Sequence, residues 1–164
     1  MHVAGTVAGQ MEGENMMRGT VTAVMVEADE VDVVSGVEAV DPTQKTLEIG
    51  RTPTDQDFGI KLKKIEFGED TTRVYVSIYN GTGTGASFYE YDSKILQGSR
   101  QFDQETTYDY ELKPPQSELS LGVRTDGAVT FGKVDPSQPL QVRFEWYSDN
   151  YNVTPKAIVF QVAP

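Results

Sequence analysis

From residue 46 onward the chain is built of short runs in which apolar and polar residues alternate, each cut off by Gly, Pro, Asn or Asp. A period of two places every second side chain on one face of a strand, whereas a helix needs a period of 3.6. Thr72–Asn80 sets Val74, Val76 and Ile78 on one face and Arg73, Tyr75, Ser77 and Tyr79 on the other. Leu140–Trp146 repeats the pattern most cleanly: Leu140, Val142, Phe144 and Trp146 turn inward, Gln141, Arg143, Glu145 and Tyr147 outward. Within Gly59–Phe67 the apolar set changes phase, from Ile60 and Leu62 to Ile65 and Phe67, as one extra residue in a β-bulge requires.

The remaining runs are shorter. Thr46–Ile49 and Ser87–Tyr91 read as brief strands, and Ile95-Leu96 and Gln101-Phe102 as a pair around Gly98. Pro114-Pro115 forbids regular pairing. Alternation resumes at Leu119, Leu121 and Val123, Asp126-Gly127 signals a tight turn, and Val129/Phe131 and Ile158/Phe160/Val162 complete the set. No segment longer than about ten residues keeps a helical period, so roughly eight short strands imply an all-β, antiparallel sandwich.

The first 42 residues differ. Residues 1–41 hold eight acids (Glu12, Glu14, Glu27, Asp29, Glu30, Asp32, Glu38, Asp41) against Arg18, a large share of the chain's net charge of −11. Residues 1–18 show no steady period and read as a flexible leader. Gly19–Glu27 is β-prone, and Val31, Val33, Val34 and Val37 follow an acidic cluster, so this part is able to add a strand to a sheet edge. Asp41-Pro42 marks the expected boundary between an acidic extension, residues 1–42, and a sandwich domain, residues 43–164.

Composition excludes several classes. A negative chain without a basic stripe is repelled by nucleic acid and by anionic lipid. Cysteine is absent, which removes disulfides, thiolate metal sites and cysteine nucleophiles from this chain. No apolar run approaches the ~18–20 residues of a membrane helix, and no basic and apolar opening marks a signal peptide. His2 is the single histidine, so neither a Ser-His-Asp triad nor a histidine metal cluster is expected. The glycines of Gly81–Gly85 lack the Lys-Ser/Thr and helix of a phosphate loop and read as a hairpin turn or flexible loop. Among the carboxylates, Asp55 and Asp57 have the most metal-like spacing, without the rest of a calcium loop. Asn80-Gly81-Thr82 and Asn152-Val153-Thr154 match the glycosylation triplet by chance composition. No cofactor and no catalytic residue is expected. The outward tyrosines are the best binding candidates: Tyr75 and Tyr79 share a strand face, Tyr147 lies on the polar face of its own strand, and Tyr89, Tyr91, Tyr108 and Tyr110 add to the set.

Residues 46–164 also resemble a known family. IKLKKIEFGEDTTRVYVSIYN at 60–80, FYEYDSKILQGSRQF at 88–102, DGAVTFGKVDPSQPLQVRFEW at 126–146, SDNYN from 148 and AIVFQV to 162 follow one another as in an immunoglobulin-like domain of unknown function found in many Gram-positive lipoproteins and membrane-anchored proteins. That domain is similar in fold to a small secreted mycobacterial antigen. The resemblance implies an immunoglobulin-like sandwich and an extracytoplasmic location, secreted or at the cell surface, with no activity to carry over. The function expected is therefore a non-enzymatic binding or structural module for a protein, peptide or glycan. The alternative is a carboxylate-based hydrolase or a calcium-dependent protein.

Overall fold

A computed structural model of the chain describes residues 2–106 and 112–164, with the backbone alone at residues 2–4, 30 and 32. Tyr108, Tyr110 and the side chain of His2 lie outside the described residues. The chain divides into two compact units at Val40/Asp41.

The first unit is a two-stranded antiparallel ribbon of β1 (His2–Glu14) and β2 (Thr20–Asp32), followed by a one-turn helix, α1 (Gly36–Val40). Pairing runs from His2↔Asp32 to Glu14↔Thr20, with irregularities after Ala4 and Val7. Asn15 closes the turn, its Oδ1 accepting from the N–H groups of Met17 and Gly19. Ser35 caps α1, its Oγ accepting from the Glu38 N–H. Residues 2–14 are thus a strand where the sequence shows no period. Gly5, Gly9 and Gly13 and the two irregularities break the alternation that would have revealed it.

The second unit contains β3 (Lys45–Arg51), β4 (Thr54–Asp55), β5 (Phe58–Phe67), β6 (Thr71–Asn80), β7 (Ala86–Ser87), β8 (Lys94–Gln97), β9 (Arg100–Asp103), β10 (Glu118–Leu119), β11 (Arg124–Gly132), β12 (Leu140–Phe144), β13 (Tyr147–Ser148) and β14 (Ile158–Val162). They form an antiparallel five-stranded sheet ordered β11-β6-β5-β3 with β4 on β5, a four-stranded sheet β14-β12-β8-β9, and a small sheet β10-β7-β13. One apolar core takes Ile60, Leu62, Val74, Val76 and Ile78 from the first, Ile95, Val142, Phe144 and Phe160 from the second, and Ala86 and Leu119 from the third. This is the all-β sandwich that the alternation implies, and the β5 phase shift is a register shift between Leu62 and Lys64. Trp146 is buried and stacks on Phe58 with centroids 4.7 Å apart. Burying one such aromatic side chain contributes about 1.5–3 kcal/mol.

Three local readings change. Asp126-Gly127 is no turn but the middle of β11, paired with Ser77 and Val76. A Cβ on Gly127 would lie 2.3 Å from the backbone N of Pro115, so the glycine answers to the Pro114-Pro115 segment packed on it. Residues 81–85 do not close a hairpin. They carry the chain from β6 in the large sheet to β7 in the small one, and the buried Asn80 holds them. Its Nδ2 donates to the carbonyls of Thr84 and Leu119 (both 2.9 Å), and its Oδ1 accepts from the N–H and hydroxyl of Thr82. Ser87–Tyr91 is a strand for its first residue only, since a 3-10 turn follows at Glu90–Asp92.

Candidate functional site

Tyr75 and Tyr79 stand on the face of β6 opposite the core, as expected. Tyr75 is half-buried: its hydroxyl donates to Glu66 Oε2 (2.8 Å), and Lys64 Nζ sits 4.5 Å from its ring centroid. Tyr79 is exposed, with the Arg124 guanidinium 5.3 Å from its ring. Both rings therefore already carry a cation from the protein itself.

Tyr75 borders a charged network built around Arg73, which is buried on the same strand face. Arg73 Nη1 donates to the Asp41 backbone carbonyl (2.8 Å) and approaches the Asp41 carboxylate, while Nη2 donates to Thr43 Oγ1. Nε lies 3.5 Å from Glu66 Oε2 without hydrogen-bond geometry. Asp41 also accepts from the N–H groups of Asp70 and Thr71 and from the Thr71 hydroxyl. Burial pushes its carboxyl upward, but these donors and the Arg73 charge outweigh it and hold the carboxyl below the usual aspartate value. Glu66 follows the same logic: burial raises it, and Lys64, Tyr75 and Arg73 together bring it below the ordinary glutamate value. Arg73 thereby fastens the segment before β3, through Asp41 and Thr43, to the face of β6.

Tyr147 lies elsewhere, on β13 of the small sheet, and the structure groups it with tyrosines other than Tyr75 and Tyr79. Tyr89 stacks on Tyr91 (5.3 Å, 15°) and meets Tyr147 at 5.7 Å with a 47° tilt. Tyr91 is 61% exposed and Tyr147 45%. The Tyr147 hydroxyl donates to Asp92 Oδ2 at 2.8 Å. That bond, partial desolvation and the Asp92 and Glu145 charges push it up to about 12. Desolvation and the charges of Asp92 and Glu90 likewise raise the Tyr91 hydroxyl. The 3-10 turn places Tyr89, Tyr91 and Asp92 together, and β7 pairs Ser87 with Tyr147 to bring β13 alongside. A strand reading of Ser87–Tyr91 puts Tyr89 and Tyr91 on one face but says nothing of Tyr147, which reaches them from a different strand.

The carboxylates do not converge. Asp55 Oδ2 accepts from Trp146 Nε1 (3.1 Å) and from the Lys156 N–H (2.8 Å), so it ties β4 to the segments that follow β12 and precede β14. Asp57 sits in a left-handed backbone turn (φ 67°) beside it. Among the described residues no group of three or more His, Asp or Glu side chains is placed to hold a metal ion. Asn80 of the first glycosylation triplet is buried with its amide fully engaged. A shallow depression of about 260 Å³ beside Tyr75 is lined by Lys63, Leu112, Lys113 and Asp126, with Lys63 and Asp126 paired to each other.

No protein-family model matches the chain, and no curated protein matches it in sequence. Solved structures share its fold. A protein of unknown function from Listeria monocytogenes superposes with a TM-score of 0.59 at 11% identity, over 79% of this chain and 93% of that one. A candidate lipoprotein (ycdA) from Bacillus subtilis gives 0.57 at 16% identity, over 71% of this chain and 39% of that one. This chain thus spans well under half of the Bacillus protein. At such identities the fold is what is shared. The class defined is an all-β sandwich domain of the kind found in a candidate lipoprotein. No helix among the described residues is long and apolar enough to cross a membrane.

Proposed function

We propose that this chain is a non-enzymatic binding module of immunoglobulin-like type that works outside the cytoplasm, at a bacterial cell surface. The observation that carries the reading is the tyrosine cluster of exposed Tyr91 and Tyr147 with half-buried Tyr89, set on a well-packed scaffold. Large rings held rigidly at the surface give contact area at little conformational cost, which is what a protein, peptide or glycan site needs. The location rests on the family resemblance and on the likeness to a candidate lipoprotein. The absence of an activity is supported by the commitments of the polar groups: Asp55, Asp41, Glu66 and Asn80 all hold the fold together.

The test is a binding screen of the full chain against cell-wall glycans and peptide arrays, repeated with Tyr91→Ser and Tyr147→Ser. Ligands captured by the parent and lost by both variants support the module and its site. Retained binding in both variants removes the tyrosine cluster, and turnover of any arrayed glycan or peptide removes the non-enzymatic reading.

A further inference from the structure

Resting on that binding reading, we infer that the Tyr89–Tyr91–Tyr147 cluster is a subsite for a cationic side chain, the guanidinium of an arginine in a basic peptide. The rings on the large sheet are already served by protein cations, Lys64 over Tyr75 and Arg124 over Tyr79. The carboxylates that border the cluster with no cation of their own among the described residues are Asp92, bonded to the Tyr147 hydroxyl, and Glu90, on the same 3-10 turn as Tyr91; Glu145 is paired with Arg143. Exposed aromatic faces bordered by carboxylates attract a cation twice, through the ring quadrupole and through the ionic field.

The hydrogen-bonding inventory narrows the ligand. Tyr147 spends its proton on Asp92 Oδ2, so its oxygen is left as an acceptor. Asp92 Oδ1 takes no bond from a described residue. The Asp92 carboxylate and the Tyr147 oxygen are therefore acceptors at the rim, which suits a ligand that only donates. Guanidinium carries five N–H donors in a plane that stacks on an aromatic face, whereas ammonium is a strongly hydrated point charge. Tyr89 and Tyr91 are stacked on each other, so the accessible surface is the flat outer side of Tyr91 and not a cage between rings. A flat cation fits a flat face.

The experiment titrates 15N-labelled full chain with acetyl-(Gly-Arg)3-amide, its lysine and glutamate counterparts, and a neutral N-acetylglucosamine oligomer, following amide shifts. Expected are saturable shifts at residues 89–92 and 145–148 with the arginine peptide, weaker ones with lysine and none with glutamate. Loss of one ring or one charge, in Tyr91→Ala or Asp92→Asn, should weaken the arginine peptide about three- to tenfold. Raising the salt should weaken it in parent and variants alike. Tyr91 is exposed, so its variant keeps the fold, and unchanged shifts elsewhere confirm that. Arginine-peptide shifts confined to the acidic residues 12–32, or an unchanged affinity in Tyr91→Ala, overturn the inference. If the neutral glycan shifts residues 89–92 and the arginine peptide does not, the cluster stands as a binding site and the cation assignment falls. If no probe shifts these residues, the cation assignment falls, and the screen above alone bears on the cluster.

Discussion

Replacing Asn80 tests whether one side chain holds the crossing between the two sheets. Asn80→Ala removes four hydrogen bonds: two donated to the carbonyls of Thr84 and Leu119, and two accepted from Thr82. At about 1 kcal/mol net for each bond, with added cost where a buried carbonyl is left unmet, the loss comes to about 4 kcal/mol. That is a large share of the ~5–15 kcal/mol by which a domain is stable. Asn80→Asp separates the donors from the acceptors. Its carboxylate keeps the two bonds from Thr82 but turns a charged oxygen toward two carbonyls, in a site with no solvent exposure. Such a carboxyl has its folded-state value raised above the unfolded one. The folded form then holds the proton more tightly, so the variant is penalised at neutral pH and its deficit shrinks as the pH falls toward the ordinary aspartate range. Urea denaturation of the full chain reads both effects through the single tryptophan, buried Trp146, whose emission moves to the red on exposure. An Ala variant within about 1 kcal/mol of the parent, or an Asp deficit that does not change with pH, would refute the role given to Asn80.

Four further outcomes follow from the same structure. Asp41 and Glu66 are held below their ordinary values of 3.8 and 4.5, so the stability they contribute is complete above those values and is lost as the pH falls through the lower folded-state ones; urea midpoints should therefore decline below about pH 4.5, and less steeply in Asp41→Asn. Asp55→Ala leaves the buried Trp146 Nε1–H and the Lys156 N–H without their acceptor and should cost about 2–3 kcal/mol by the same denaturation, whereas Asp55→Asn keeps an acceptor and should cost less. Tyr147→Phe should remove from an ultraviolet alkaline titration the phenol that the bond to Asp92 pushes up to about 12, and leave the thermal midpoint within a few degrees. Gly127→Ala meets the Pro114-Pro115 backbone and should destabilise by about 2 kcal/mol or more, while Gly83→Ala, with nothing within 4 Å, should be neutral in a thermal melt.

What the sequence makes legible is what depends on neighbours along the chain. The alternation of Leu140–Trp146 is carried into β12 as far as Phe144 and its apolar members are all buried, Trp146 just past the strand's end, and the phase change in β5 is a register shift between Leu62 and Lys64. Alternation says which face of its own strand Tyr147 occupies, but not to which sheet that strand belongs, and so it joins Tyr147 to the wrong tyrosines. Asp126-Gly127 misleads for a related reason. A turn dipeptide and a strand glycine crowded by a distant proline pair look alike until the chain is folded. Asn80 shows the same limit, since half of its donor capacity is spent on Leu119, far along the sequence. The 3-10 turn at Glu90–Asp92 rests on backbone bonds such as Ser93 N–H to the Glu90 carbonyl, which no side-chain pattern announces.

The clamp between Arg73 and Asp41 has a mechanical consequence. Asp41 precedes β3, an edge strand, and edge strands under tension peel one ladder bond at a time. Any pull arriving along the backbone from upstream of residue 41 first loads the bonds from Arg73 to the Asp41 carbonyl and carboxylate. Arg73 belongs to β6, which is laddered on both sides by β5 and β11. The segment that leads into the edge strand is thereby anchored to the middle of the large sheet, and not to its ladder with β5 alone.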